Sequence, residues 1–583
     1  LPAGSPQRHP GRLTPAFPMR KIGWQLAIAV GGLLLVLGLL LGQSPGPEAD
    51  LLQPVQGGSY AEALIGQSVR LNPLLDRYNQ ADRDIDRLIY GSLIRYNSRG
   101  EAVPELAESV SISADATLYN FTLRADALWH DGVPVTADDV VFTFSKFKEG
   151  GLPGAEDLRS LWQEIQIVKL DDKHVQFQLT ESYAPFLDYL TVGLLPDHLL
   201  RGVSAEELVD HPFNREPVGS GPFQFEQFLL AEDGRVTGVS LTAFEHYAPG
   251  RPFLERIEFR FFDDSQAALQ AFRDGLVDGI GNVTDEILGA VLAEPGLNLY
   301  SARAPQTATV FLNTRSTDKP FLAQKEFRQA LLLALNREQL IGSILDGQGL
   351  PASSPILPGN WAHIDGLSPL PYDPELAAGI LTELGWELPV GVVPGAPEYV
   401  RSDGEQQLSF ELAYPEVGPY AELAMMLQGA WAEIGIRADL VPVPPSELLT
   451  ELLEPRRFEA VLTELNTAQL GDPDPYPFWH DSQVETGQNY AGYQDRNISI
   501  WLEQARITPD VRRRQSLYRD FQYRFRDQVP ALLLFHPIYS YAVSAEVRGA
   551  NLGPIQDPSD RFQQITQWYV LIRRGFTRTE GAG

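Results

Sequence analysis

The chain has 583 residues, 44% of them hydrophobic and 21% charged, a length that exceeds one core and calls for several lobes. Its 76 acidic and 46 basic residues leave a formal charge of −30, which argues against a nucleic-acid partner, because that partner needs a basic face. Cysteine is absent, so disulfides, thiolate nucleophiles and cysteine metal sites are excluded.

Arg20 and Lys21 stand directly before an uncharged run from Ile22 to Gly42. A cationic flank followed by an apolar run reads as a secretory signal or a signal anchor. The run is long enough to cross about 30 Å of hydrocarbon, and its positive flank should stay on the cytoplasmic side. We therefore expect residues 1–21 inside, with Leu1 or Met19 as the start. Residues 22–42 span the membrane or are cleaved, and residues 43–56 form a linker to an extracytoplasmic body.

The folded part begins near residue 57. Residues 81–96 place Ile85, Leu88, Ile89 and Leu93 at helical spacing. In the stretch FTLRADALWHDGVPVTADDVVFTF, Phe121, Leu123 and Ala125 alternate with polar residues as in a half-buried strand. Asp131-Gly132 is a turn dipeptide, and Thr136 with Asp139 can form a capping box before the helical face of Val140, Val141 and Phe144. Residues 165–179 read as a hairpin turning at Asp171-Asp172. Two glycines and two prolines make PVGSGPF, from Pro217 to Phe223, a rigid turn. A strand follows over 254–262, then a helix over 265–275 closed by Gly275.

Tyr372-Asp373-Pro374 opens a helix that runs to Gly385. Residues 391–406 are a Pro/Gly-rich exposed loop. The pattern then predicts a strand over 408–414, a helix over 420–434 with Leu423, Leu427 and Trp431 on one stripe, and a strand over 436–441. Such alternation implies an α/β fold. Further on, GDPDPYPFWHD, from Gly471 to Asp481, holds two carboxylates between prolines that stiffen the loop. A buried carboxylate needs a partner, and a ligand cation is one solution; local backbone N–H groups are the other. In QNYAGY, Asn489 can both donate and accept a hydrogen bond, which suits a ligand amide. The basic run over 512–526 reads as a solvated helix face, with a docking face for a transporter as the alternative.

These stretches together resemble the family 5 extracellular solute-binding proteins, the peptide- and nickel-binding receptors of ABC importers. The match is carried by residues 121–144, by Pro104-Glu105-Leu106-Ala107-Glu108, by PVGSGPF, by Phe327-Arg328-Gln329-Ala330 through Glu338, and by the GDPDPY and QNYAGY stretches; it runs from about residue 57 to 572. The resemblance implies a periplasmic-binding-protein-like α/β fold of two lobes with a hinge and a third inserted subdomain. Lobe I would take residues 57–90, 185–300 and 530–583, the inserted subdomain 91–184, and lobe II 301–529. It also implies a monomer that encloses a peptide or other small solute and passes it to permease subunits driven by their own ATPases. Asp472, then Asp474, would pair with the α-ammonium of the ligand. Tyr476, Trp479, Tyr490 and Tyr493 would wall the pocket, and Asn313 would face the cleft. In the helix over 512–526, Leu517, Tyr518 and Phe521 would be buried.

No cofactor, metal or catalytic residue is expected. Nine histidines are scattered without metal-binding spacing, and no phosphate-cradling loop with Lys occurs. His130-Asp131 is read as turn and packing rather than as an acid–base pair. The alternatives kept open are an oligosaccharide or metal-chelate receptor, and a membrane-anchored hydrolase that uses Asp472 and Asp474 as its two carboxylates.

Overall fold

The computed structural model describes residues 54–97, 101–153, 155–466 and 471–571. The expected membrane-crossing run at 22–42 lies outside the described residues. Among the described residues no helix is long and apolar enough to cross a membrane.

The strand Ser59–Ile65 is the seed of the first lobe. It pairs in parallel with Arg256–Phe262 on one side and Gly279–Ile280 on the other. Successive side chains of a strand point to opposite faces. Tyr60 and Leu64 accordingly join a core with the helix Gln80–Ile89. Ala63 joins another with the helices Ser265–Arg273 and Asp285–Leu292. Glu62, between Tyr60 and Leu64 on the first face, is fully buried against Arg561 and Asp84, with Arg561 Nη2 at 2.6 Å from Glu62 and 2.8 Å from Asp84.

The helix expected over 81–96 ends at Ile89, and Ile94–Tyr96 is instead a short strand paired with Ala102–Pro104. The cause lies in PVGSGPF. The Gly221 N–H donates to the Ile89 carbonyl at 2.8 Å, and a Cβ at Gly219 would lie 1.9 Å from that oxygen. Only glycine permits so close an approach, and it satisfies a carbonyl that the helix would otherwise need to continue.

Residues 121–144 fold much as their pattern predicts. Leu118–Leu123 is a central strand of a four-stranded antiparallel sheet with Ala107–Ile112, His174–Gln178 and Gln166–Lys169. Gly132 turns the chain at φ 86°. Thr136 and Asp139 form the capping box of the helix Ala137–Glu149. Asp139 also accepts from the indole of Trp129 at 3.2 Å and from the Asp197 N–H at 2.8 Å. His130 packs against PVGSGPF, its Nδ1 accepting from the Gly219 N–H at 3.2 Å. This sheet shares one continuous core with the first lobe.

The second lobe repeats the α/β logic. Ser409–Pro415 pairs in parallel with Arg437–Val443 through the helix Tyr420–Glu433, whose Leu423, Leu427 and Trp431 are buried. Ala460–Asn466 and Gln306–Leu312 continue the sheet.

One strand, Leu532–Ser544, belongs to both lobes. Its first residues pair with Gln306–Leu312 and Gly349–Pro351 in the second lobe, and its last with Leu297–Arg303 and Gly279–Ile280 in the first. The result is one ladder of twelve strands among the described residues. The chain crosses between lobes at Ala304-Pro305 and again at Pro537, side by side, with the Ala304 N–H donating to the Pro537 carbonyl at 2.9 Å. Proline donates no ladder hydrogen bond, and at Pro537 the strand keeps its register with Gly349.

His536 sits at this crossing, 1% exposed, with Nδ1 at 2.9 Å from the Thr307 hydroxyl. Burial pushes its imidazole down to about 4. In the unfolded chain the ring takes up a proton near 6.5. Its contribution is therefore complete above that value and is lost as pH falls toward 4, at up to about 1.4 kcal/mol per pH unit. We expect His536→Gln to flatten the pH dependence of urea stability by that slope within this window. An unchanged profile would refute the assignment.

Candidate functional site

A cleft of about 540 Å³ opens where the lobes meet. The first lobe supplies the strand end Ser301-Ala302-Arg303 and the loop at 552–556. The second supplies the loops at 355–361 and 471–475 with Phe478 and Trp479. Ile538, just past the Pro537 crossing, forms part of its wall. Both crossings therefore border the cleft, and a rotation of either lobe changes its width.

The loop at 471–475 is drawn into the protein by its two carboxylates. Asp472 is buried and meets Arg514 in a two-pronged pair, Oδ1 to Nη2 and Oδ2 to Nη1, both at 2.6 Å. Arg514 lies on the helix Val511–Gln528, whose Asp510 N-cap accepts from the Arg513 N–H. Burial pushes the Asp472 carboxyl up, and Arg514 pulls it back. Asp474 accepts from Arg506 Nε at 3.0 Å and Nη2 at 2.6 Å. Arg506, on the helix Arg496–Ile507, stacks over the Tyr476 ring at 3.8 Å. Planar two-pronged pairs of this kind hold both position and orientation.

The same loop touches the first lobe. The Asp472 N–H donates to Asp188 Oδ2 at 2.6 Å, and the other oxygen of Asp188 accepts from the Tyr96 hydroxyl. Arg506 also lies 5.5 Å from the Tyr183 ring. Gly471 is pressed against Tyr96 so closely that a Cβ would fall 2.1 Å from the ring. Residues 471–474 are thus both cleft wall and bridge between lobes.

Residues 101–488, more than half of the chain, match the family model described as "Bacterial extracellular solute-binding proteins, family 5 Middle". The chain belongs to this family. Among family 5 proteins it is 25% identical over 563 residues to the Oligopeptide-binding protein AppA of Bacillus subtilis, covering 93% of this chain and 98% of that one. It is 27% identical over 500 residues to the Dipeptide-binding protein of Escherichia coli, covering 80% and 87%. The structure of Bacillus subtilis AppA in complex with a nonapeptide superposes with a TM-score of 0.69 at 25% identity, over 89% of this chain and all of that one. The fold is that of the family: two α/β lobes.

Of the residues singled out in this family 5 chain, Asp472, Asp474 and Trp479 line the cleft. Trp479 packs edge-on against Phe525 at 4.6 Å, and its buried indole N–H has no hydrogen-bond partner among the described residues. Tyr476 does not line the cleft; it stacks on His480 at 4.0 Å and carries Arg506. Asn489, Tyr490, Tyr493 and Asn313 are also outside the lining. Tyr490 packs on Phe311, and Tyr493 lies under Arg328. Asn313 donates to the carbonyls of Arg456 and Phe458 and accepts from the Arg315 N–H, the turn role that competes with ligand contact.

Asn489 is fully buried and donates to the carbonyls of His480 and Tyr493 at 3.2 and 2.8 Å. Asn489→Ala strands both, so we expect a loss of about 1–3 kcal/mol in urea denaturation with ligand affinity of the folded protein unchanged. A tenfold affinity loss at unchanged stability would return Asn489 to the ligand.

The residues not anticipated are Arg303, Arg506 and Arg514. The one visible signal concerned Arg514. It stands three and four positions before Leu517 and Tyr518, hence on the buried face of its helix.

Proposed function

We propose that the protein is an extracytoplasmic receptor that captures a peptide-like solute between its lobes and delivers it to the permease of an ABC importer. The observation that carries the reading is the cleft itself: both lobes build its walls, and both chain crossings border it. A ligand in such a place touches the two lobes together only when they close, so it favours the closed state. The peptide names of the relatives support the ligand class. We take residues 57–90, 185–304 and 538–571 as lobe I, 91–184 as its insertion, and 305–537 as lobe II, moving the expected boundaries near 301 and 530 to the two crossings, with residues 22–42 as the membrane tether and the receptor acting as a monomer.

Asp472, Asp474 and Trp479 are the proposed cleft contacts from the acidic loop. Each carboxylate is engaged by an arginine, which speaks against the hydrolase reading, because a nucleophile or general base must be free to react. The test is thermal shift and native mass spectrometry of the purified protein with a random tripeptide mixture. A raised melting temperature with peptide-sized mass additions is expected. No shift, together with a shift on oligosaccharides, would overturn the peptide reading.

A further inference from the structure

Among the described residues, the charges that line the cleft are Arg303, Asp472 and Asp474. The two carboxylates are taken by Arg514 and Arg506. Arg303 is different. It ends the strand Leu297–Arg303 at the crossing, half-buried and paired in the ladder with Ile538. Among the described residues its guanidinium makes no hydrogen bond or ion pair. Burial lowers its basicity, and Asp365, which acts on it electrostatically, forms no ion pair with it. Its Nη2 lies over Gly359, where φ is +92° and a Cβ would fall 2.5 Å away. The 355–361 loop thus leaves room for the guanidinium in the cleft.

We infer that Arg303 anchors a carboxylate of the ligand beside the hinge, and that the described cleft wall offers the ligand's amine no carboxylate free of an arginine. The inference rests on the reading of the cleft as the solute site. An ammonium entering at Asp472 would have to share its carboxylate with Arg514, which is buried and, among the described residues, paired with no other acid; one entering at Asp474 would compete with the two-pronged Arg506 pair. A carboxylate entering at Arg303 displaces nothing. It meets a planar fork matched to its two oxygens and neutralises a charge that the hinge holds half out of water. The rest of the ligand then lies along apolar wall: Ile356, Phe478, Trp479, Ile538 and Leu552. The ligand class is a solute with one carboxylate end and a largely uncharged body, in which a free amine is dispensable.

The test titrates the full protein with three tripeptide mixtures: free, N-acetylated and C-amidated. Free and acetylated peptides should bind alike, and amidation should weaken binding about thirtyfold or more. Arg303→Met should lose the same factor for free peptide and nothing for the amide; its melting temperature without ligand reports folding, and the wild-type comparison needs no variant. Loss on acetylation with amidation harmless overturns the inference and leaves the peptide reading intact. Equal binding of all three mixtures does the same. Should no mixture bind, the peptide reading falls, and 4-phenylbutyrate decides the inference. Binding that Arg303→Met abolishes upholds it, and no binding, or binding that Arg303→Met leaves intact, overturns it.

Discussion

Asp472→Asn is expected to lower the stability of the protein by about 3–5 kcal/mol, because it leaves Arg514 as an uncompensated buried charge. Arg514 has little else to turn to. Its Nε donates to the Ala505 carbonyl at 2.9 Å, its Nη2 also reaches the Tyr518 hydroxyl at 3.0 Å, and the group faces the Trp361 ring. Neither a carbonyl, a hydroxyl nor a ring replaces a carboxylate held at 2.6 Å on both prongs. Removing both charges should be far milder, since well-packed apolar replacements of a buried pair are often neutral. Urea denaturation of Asp472→Asn, Arg514→Met and the double variant checks this. Single variants within about 1 kcal/mol of the parent, the range of exposed ion pairs, would refute it. Asp474→Asn should do less harm, because Arg506 is 23% exposed and can be rehydrated.

Gly471→Ala is expected to weaken ligand binding about tenfold or more, while leaving the stability of the unliganded protein within about 0.5 kcal/mol of the parent. The added methyl meets Tyr96 across the lobe boundary, at distances no carbon contact tolerates. Tyr96 is held in place by Asp188, which is in turn held by the Asp472 N–H, so the clash cannot be relieved by a simple swing of the ring. The lobes can relieve it by separating, which shifts the population away from the closed form. Tyr96→Ala in the same chain should restore much of the affinity. Calorimetric titration with the tripeptide mixture reads both. Unchanged affinity in Gly471→Ala would mean that ligand is held without the Gly471–Tyr96 contact.

Local chemistry was legible in the sequence wherever cause and effect lie close along the chain. The Thr136–Asp139 box, the turn at Gly132, and the hairpin where Asp171 accepts from the N–H groups of Lys173 and His174 all need neighbours within a few residues. The family pattern supplied the lobes. What stayed hidden was pairing over distance. Asp474 and Arg506 are 32 residues apart, and Asp472 and Arg514 are 42 apart. A carboxylate between prolines looks alike whether its partner is a ligand or an arginine from another helix. The basic run over 512–526 illustrates the same limit. Read as a solvated face, it sends Arg514 inward to Asp472, while Arg513 and Arg519 remain exposed. The break at Ile89 was hidden because it depends on Gly219 and Gly221, far along the chain.

The strand Leu532–Ser544 has a consequence for the order of events in folding. Both lobes wait for it: in the second, Gln306–Leu312 is paired only on its Ala460–Asn466 side until it arrives, and in the first, Leu297–Arg303 has no other neighbour among the described strands. Arg561, which neutralises Glu62 across 499 positions of chain, arrives later still. A chain made from its N-terminus therefore carries an open sheet edge and a buried acid without its counter-charge through most of its synthesis. Contacts of such long range are slow to form, and exposed edges recruit other strands. The protein spends that interval in need of protection, and neither half has an early route to independence.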